Sequence, residues 1–67
     1  MKKLANNLKN LRITKNVGQA VLAEELHVSV KTISHWETGY SDPSIAQLIQ
    51  LADYFDVSLD ELVGREP

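Results

Sequence analysis

QAVLAEELHVSVKTISHWE, residues Gln19 to Glu37, is the stretch on which the reading of this chain turns. Leu22, Ala23 and Leu26 recur at the three- and four-residue spacings of one helical stripe. Ile33 and Trp36, three apart, form a second stripe. Between them, His27-Val28-Ser29 closes one helix and opens the next. Ser29 is placed as an N-cap, its hydroxyl accepting from an otherwise orphan backbone N–H near Thr32. Ala23 is small where two helices must cross closely, and Val28 is sized to plug the corner between them. The pattern predicts two short amphipathic helices joined by a tight break.

Working outward, Leu4, Leu8 and Leu11 predict a first helix from about Lys3 to Lys15, with Asn6, Asn7, Lys9 and Asn10 filling its outer face. Asn16 and Gly18 punctuate the chain, and Gly18 takes the N-cap of the second helix at a cost of only a few tenths of a kcal/mol relative to Ser. The third helix is predicted from Val30 to about Thr38, stopped by Gly39 as a left-handed C-terminal residue. Tyr40-Ser41-Asp42-Pro43 reads as a loop. Ser44 and Gln47 form a capping box that begins a fourth helix, with Ile45, Leu48, Leu51, Ala52 and Phe55 as its apolar face. Asp56-Val57 breaks it. A second capping box, Ser58 with Glu61, starts a short last helix through Val63 that Gly64 stops. The expectation is an all-α chain of five helices forming one compact domain over residues 1–67, with short connections and no strand.

Composition narrows the function classes. A chain of 67 residues buries only about 60% of the surface its unfolded form exposes, which predicts marginal stability. There is no cysteine, so disulfides and thiolate metal sites are excluded. His27 and His35 lie on different elements with no thiol to assist them, so no metal or cofactor is expected. No apolar run reaches membrane-spanning length, and MKKLANNLKN lacks the apolar segment of a secretory signal, so a soluble, cytoplasmic protein is expected with no membrane partner. Ser, His and Asp occur without a catalytic motif to join them, so an enzyme is not expected. The net charge is −2, unlike the usual basic nucleic-acid-binding domain. Its distribution is uneven, however. Six of the seven Lys and Arg lie at or before Lys31, while seven of the nine Asp and Glu follow it. Local field, rather than net charge, governs contact with phosphate.

Two helices joined by a short turn form the helix-turn-helix unit, whose second helix enters the DNA major groove. From Leu8 to Glu66 the chain resembles the Cro/CI-type (XRE) family of bacterial and phage repressors. The resemblance rests on LR at Leu11-Arg12, QAVLAEEL, VSVKTISHWETG, the PS before the fourth helix, and LIQLADYFDVSLDELVG, in that order and spacing. It implies the five-helix lambda repressor-like fold and sequence-specific binding of double-stranded DNA. It further implies a homodimeric transcriptional repressor reading a palindromic operator. Three positions depart from the family pattern. Gly18 stands where Ser or Thr is common, His27 where Gly usually meets a left-handed backbone, and Tyr40-Ser41-Asp42 where the loop is commonly basic.

By the same resemblance, Val30, Lys31, Thr32 and His35 touch bases or the adjoining backbone, and Ser34 lies beside them. Val30 offers an apolar contact suited to a thymine methyl, and Lys31 and His35 can donate to guanine O6 or N7. Thr32 and Ser34 suit either a base edge or a phosphate. The plainer alternative is the solvated face of a surface helix. Gln19, at the start of the second helix, is implied to contact phosphate and to brace the third. Thr38, Gly39 and Tyr40 are candidate phosphate donors through backbone N–H groups and the Tyr40 hydroxyl, with simple packing as the alternative for Tyr40. Arg12 and Glu37 are implied to pair structurally, and Trp36 is read as core. Ile49, Tyr54, Leu62 and Val63 are candidates for a dimer surface. The competing function is a protein-binding module, an antitoxin or antirepressor whose acidic C-terminal half binds a basic partner such as a toxin.

Overall fold

Caps write the helix boundaries. The Ser29 hydroxyl accepts from the Thr32 N–H at 3.1 Å, Ser44 accepts from Gln47 at 3.1 Å, and Ser58 from Glu61 at 3.0 Å. Gln47 and Glu61 each return a side-chain oxygen to the backbone N–H of their cap, completing two reciprocal boxes. Gly18 caps with extended backbone alone. The computed structural model describes residues 2–65 and resolves these signals into α1 (Lys2–Thr14), α2 (Gln19–Leu26), α3 (Val30–Thr38), α4 (Ile45–Phe55) and α5 (Leu59–Val63). No strand occurs among the described residues. Glu66, the last residue of the family resemblance, lies outside them.

The exits use the left-handed region. Gly39 (φ 79°) and Gly64 (φ 76°) end α3 and α5, and His27 (φ 57°) and Asp56 (φ 55°) end α2 and α4. Asn16, at φ 58°, turns the chain after α1. The left-handed turn expected at His27 is therefore present. A side chain there costs of order 1 kcal/mol, less for His, Asn and Asp than for branched residues.

Leu4 and Leu8 of α1, Leu22, Ala23 and Leu26 of α2, Ile33 and Trp36 of α3, Leu51, Ala52 and Phe55 of α4, and Leu62 of α5 form one buried cluster. Leu11, Val17, Val28, Leu48 and Val57 pack against its margin. α1 lies mainly on α3 and α5, α2 on α3, and α4 on α5. Three expectations need correction. Ile45 matches the α4 stripe by spacing but is 76% exposed, and the buried residues of α4, Leu51, Ala52 and Phe55, all lie in its second half. Leu62 is fully buried and takes no part in any outer surface, while Ile49 and Tyr54 are exposed and Val63 is half-buried. Asn7 does not simply fill the outer face. Its amide donates to the carbonyls of Glu61 (3.3 Å) and Leu62 (3.2 Å), holding the end of α5 against α1.

α3 is locked by charge as well as by packing. Glu37 is buried, its side chain 3% exposed. Arg12 reaches it with two donors, Nε to Oε2 at 2.6 Å and Nη2 to Oε1 at 3.1 Å, the forked geometry that suits a carboxylate. Arg12 Nη1 also donates to the Val17 carbonyl at 3.0 Å. Gln19 Nε2 adds a donor to Glu37 Oε1 at 3.1 Å. The Glu37 hydrogen bond, with its coulombic attraction adding and burial opposing, raises the Arg12 pKa above its already high ordinary value. A raised cation pKa gives stability that is complete below the unfolded-state value and lost only as pH rises through the folded-state one. Titration of Arg12 therefore leaves stability unchanged across the neutral range.

Two stability measurements check this account. Arg12→Ala strands the Glu37 carboxylate and is expected to cost about 3 kcal/mol in urea unfolding. A loss under about 1 kcal/mol, the range of an exposed pair, shows that the node is solvated. The second concerns the two left-handed glycines. A Cβ at Gly39 meets nothing within 4 Å, whereas one at Gly64 falls 2.8 Å from Lys3 Cβ. Each Ala substitution costs about 1 kcal/mol from backbone conformation, and Gly64→Ala is expected to cost clearly more. Equal losses contradict the close approach of α5 to α1.

Candidate nucleic-acid interface

α3 divides its side chains between two duties. Ile33, Trp36 and Glu37, at spacings of three and four, face inward and are buried. Lys31 and His35, four apart, share the opposite face, Lys31 exposed and His35 half-buried. Val30 stands at the first turn, 44% exposed. Thr32 and Ser34 are half-buried flanks. The five expected base-contact residues thus lie together on one short helix whose inner face is fully committed.

Their polar atoms are not equally free. The Thr32 hydroxyl lies 2.9 Å from the Ser29 hydroxyl, which also caps α3, so Thr32 shares its hydroxyl with the cap. The sequence places both residues correctly but conceals this sharing. Gln19 is half-buried, and one of its two amide hydrogens is spent on Glu37. The brace that the family resemblance implies is thus a direct side-chain bond.

The end of α3 differs from expectation. The Gly39 N–H turns back to Trp36 O at 3.3 Å, and the Tyr40 N–H to His35 O at 2.9 Å. These two bonds form the Schellman closure of a helix. The Ser41 N–H (3.3 Å) and the Thr38 hydroxyl (3.3 Å) also donate to His35 O. The backbone N–H groups of Gly39 and Tyr40 are therefore engaged inside the molecule. Positive φ at Gly39 made this closure foreseeable. What stays available is the Tyr40 side chain, 79% exposed, its ring centroid 4.6 Å from that of His35.

A hollow of about 750 Å³ opens between α1 and the α5 region and draws no lining residue from α2 or α3 among the described residues. It belongs to the Asn7 tie rather than to the outer face of α3. No helix among the described residues is long and apolar enough to cross a membrane.

Comparison with known proteins agrees with this geometry. The profile of the helix-turn-helix family HTH_3 matches residues 8–62. The chain is 42% identical over 59 residues to the HTH-type transcriptional activator BcrR of Enterococcus faecalis, covering 88% of this chain and 29% of the relative. It is 35% identical over 63 residues to the cryptic phage CTXphi transcriptional repressor RstR of Vibrio cholerae, covering 94% of this chain and 56% of the relative. The crystal structure of a transcriptional regulator from Listeria innocua superposes with a TM-score of 0.91 at 38% identity, covering 96% of this chain and 60% of that one. The chain thus spans between under a third and about half of the length of these curated relatives. A five-helix fold, a helix-turn-helix corner at His27 and a matching profile over most of its length converge: this chain belongs to the HTH_3 family of helix-turn-helix domains, the XRE, Cro/CI type.

Proposed function

We propose that this chain is the DNA-binding domain of a prokaryotic or phage transcriptional regulator, reading double-stranded DNA with α3 in the major groove. The observation that carries this is the split of α3. Its inner residues are committed to Arg12, Gln19 and the core, while Val30, Lys31, Thr32, Ser34 and His35 remain for an outside partner. Lys31 and His35 donate to guanine edges, Val30 meets a thymine methyl, and Thr32 and Ser34 contact a base edge or the adjoining backbone. Gln19, through its remaining amide hydrogen, and the Tyr40 hydroxyl hold phosphates on either side and set the register.

In this reading residues 1–67 act as one domain, binding rather than catalysing, in the cytoplasm where the operator lies. Two copies form a homodimer whose α3 helices sit about 34–36 Å apart on a palindromic site. Exposed Ile49 and Tyr54 support such a pairing surface. Repression is the outcome that operator occupancy alone achieves. Relatives named as an activator and as a repressor both align with this domain, so the direction of control resides in its context.

Selection from a random duplex pool tests the reading. The chain is expected to enrich a two-fold-symmetric site at two protomers per duplex. Its log affinity should fall with log salt by roughly 0.9 per phosphate neutralised. No enrichment at low salt overturns DNA recognition and favours a protein-binding module instead. On the selected site, Lys31→Ala is expected to lose about 1–3 kcal/mol and to relax the preference at one base pair of each half-site. Unchanged affinity and preference remove Lys31 from the interface.

A further inference from the structure

The Tyr40 side chain has no role in the core, since it is 79% exposed. Nor does it trail freely. Gly39, at φ 79°, reverses the chain after α3, and the Tyr40 N–H closes on His35 O at 2.9 Å. This closure carries residue 40 back over residue 35, one turn before the helix end, where a side-chain contact between these positions commonly accompanies the motif. Here the contact joins two aromatic rings, with centroids 4.6 Å apart and planes inclined at 44°. The centroid separation lies within the range of favourable aromatic pairs, and the tilt keeps the rings out of a face-to-face sandwich.

Resting on the DNA-recognition reading above, we infer that Tyr40 is a specificity-determining positioning residue: its ring orients the His35 imidazole toward the base edge that His35 reads. Imidazole presents two nitrogens in a plane, so a donor reaches guanine O6 or N7 only from a narrow range of ring angles. Unrestrained, the ring samples several rotamers, and each productive contact carries the entropy of selecting one. Tyr40 removes that freedom before DNA arrives. The backbone supports the same end, because the His35 carbonyl accepts from Tyr40, Ser41 and Thr38 together and holds the residue's main chain still. The ring does this work and the hydroxyl does not, which separates the role from any phosphate contact through the hydroxyl.

The test compares base preference at each operator position for the unaltered chain, Tyr40→Phe, Tyr40→Ala, His35→Ala and the double Ala variant. Tyr40→Ala is expected to lower discrimination about 2- to 10-fold, the range of an aromatic pair, at the same base pair that His35→Ala affects and at no other. Tyr40→Phe should keep the preference of the unaltered chain, even where its overall affinity falls evenly across sequences. In the His35→Ala background, removal of the Tyr40 ring should change nothing further at that base pair. Without DNA, the His35 ring proton resonances should shift in Tyr40→Ala and return in Tyr40→Phe. The inference is overturned if Tyr40→Ala leaves the preference intact, or if Tyr40→Phe flattens it as Ala does, which assigns the effect to the hydroxyl. Failure of the unaltered chain to select any site is a separate result, in which the DNA reading and this inference fall together.

Discussion

Glu37 places a carboxylate where water hardly reaches, and a charge withdrawn from water must be met by hydrogen bonds or become prohibitively costly. Three donors meet it, two from Arg12 on α1 and one from Gln19 on α2. Hydrophobic burial alone leaves a short helix some freedom to roll or slide, because apolar contacts carry little direction. A forked guanidinium on a fixed carboxylate removes that freedom. The rotation of α3 about its axis is set by this node together with Ile33 and Trp36, and with it the side chains that face outward. No buried side-chain nitrogen or oxygen among the described residues lacks a partner, so the node adds order without leaving an unpaired group behind.

The corners complete what the node begins. Small helical domains cannot spend many residues on connections, and this one turns at a left-handed residue after each of its five described helices. Two of those are glycines and three are not. His27 sits at the corner between α2 and α3, so mild backbone strain is accepted where the family usually avoids it. Its exposed side chain needs no room in the core, and Val28 beside it packs against the buried cluster. The corner is thus held by the apolar neighbour, and the turn residue need only tolerate the conformation.

Most of the architecture was legible because it is encoded locally. Ser44 with Gln47 and Ser58 with Glu61 announce their helices by a spacing that has one physical use, and α1 differs from its predicted bounds by one residue at each end. What escaped was non-local. Ile45 has the right spacing for a buried stripe, but burial depends on what lies opposite, and periodicity is silent about that. Asn7 looked like one more polar residue on an outer face, yet its amide meets carbonyls more than fifty positions away. Within the site, the composition of the α3 face was readable from spacing. The engagement of the Gly39 and Tyr40 N–H groups was implicit in Gly39 as a left-handed stop, whereas the ring contact between Tyr40 and His35 emerged only from the structure.

The division of α3 into inner and outer residues has an evolutionary corollary. Ile33, Trp36 and Glu37 answer to the fold, while Lys31 and His35 answer to it scarcely at all. Substitutions on the outer face can accumulate without passing through unfolded intermediates, even in a chain with little stability to spare. On the proposed reading, a duplicated copy of such a gene is free to drift toward a new target by exchanging a few surface residues. The buried charge and its partners remain as the chassis into which successive address codes are fitted.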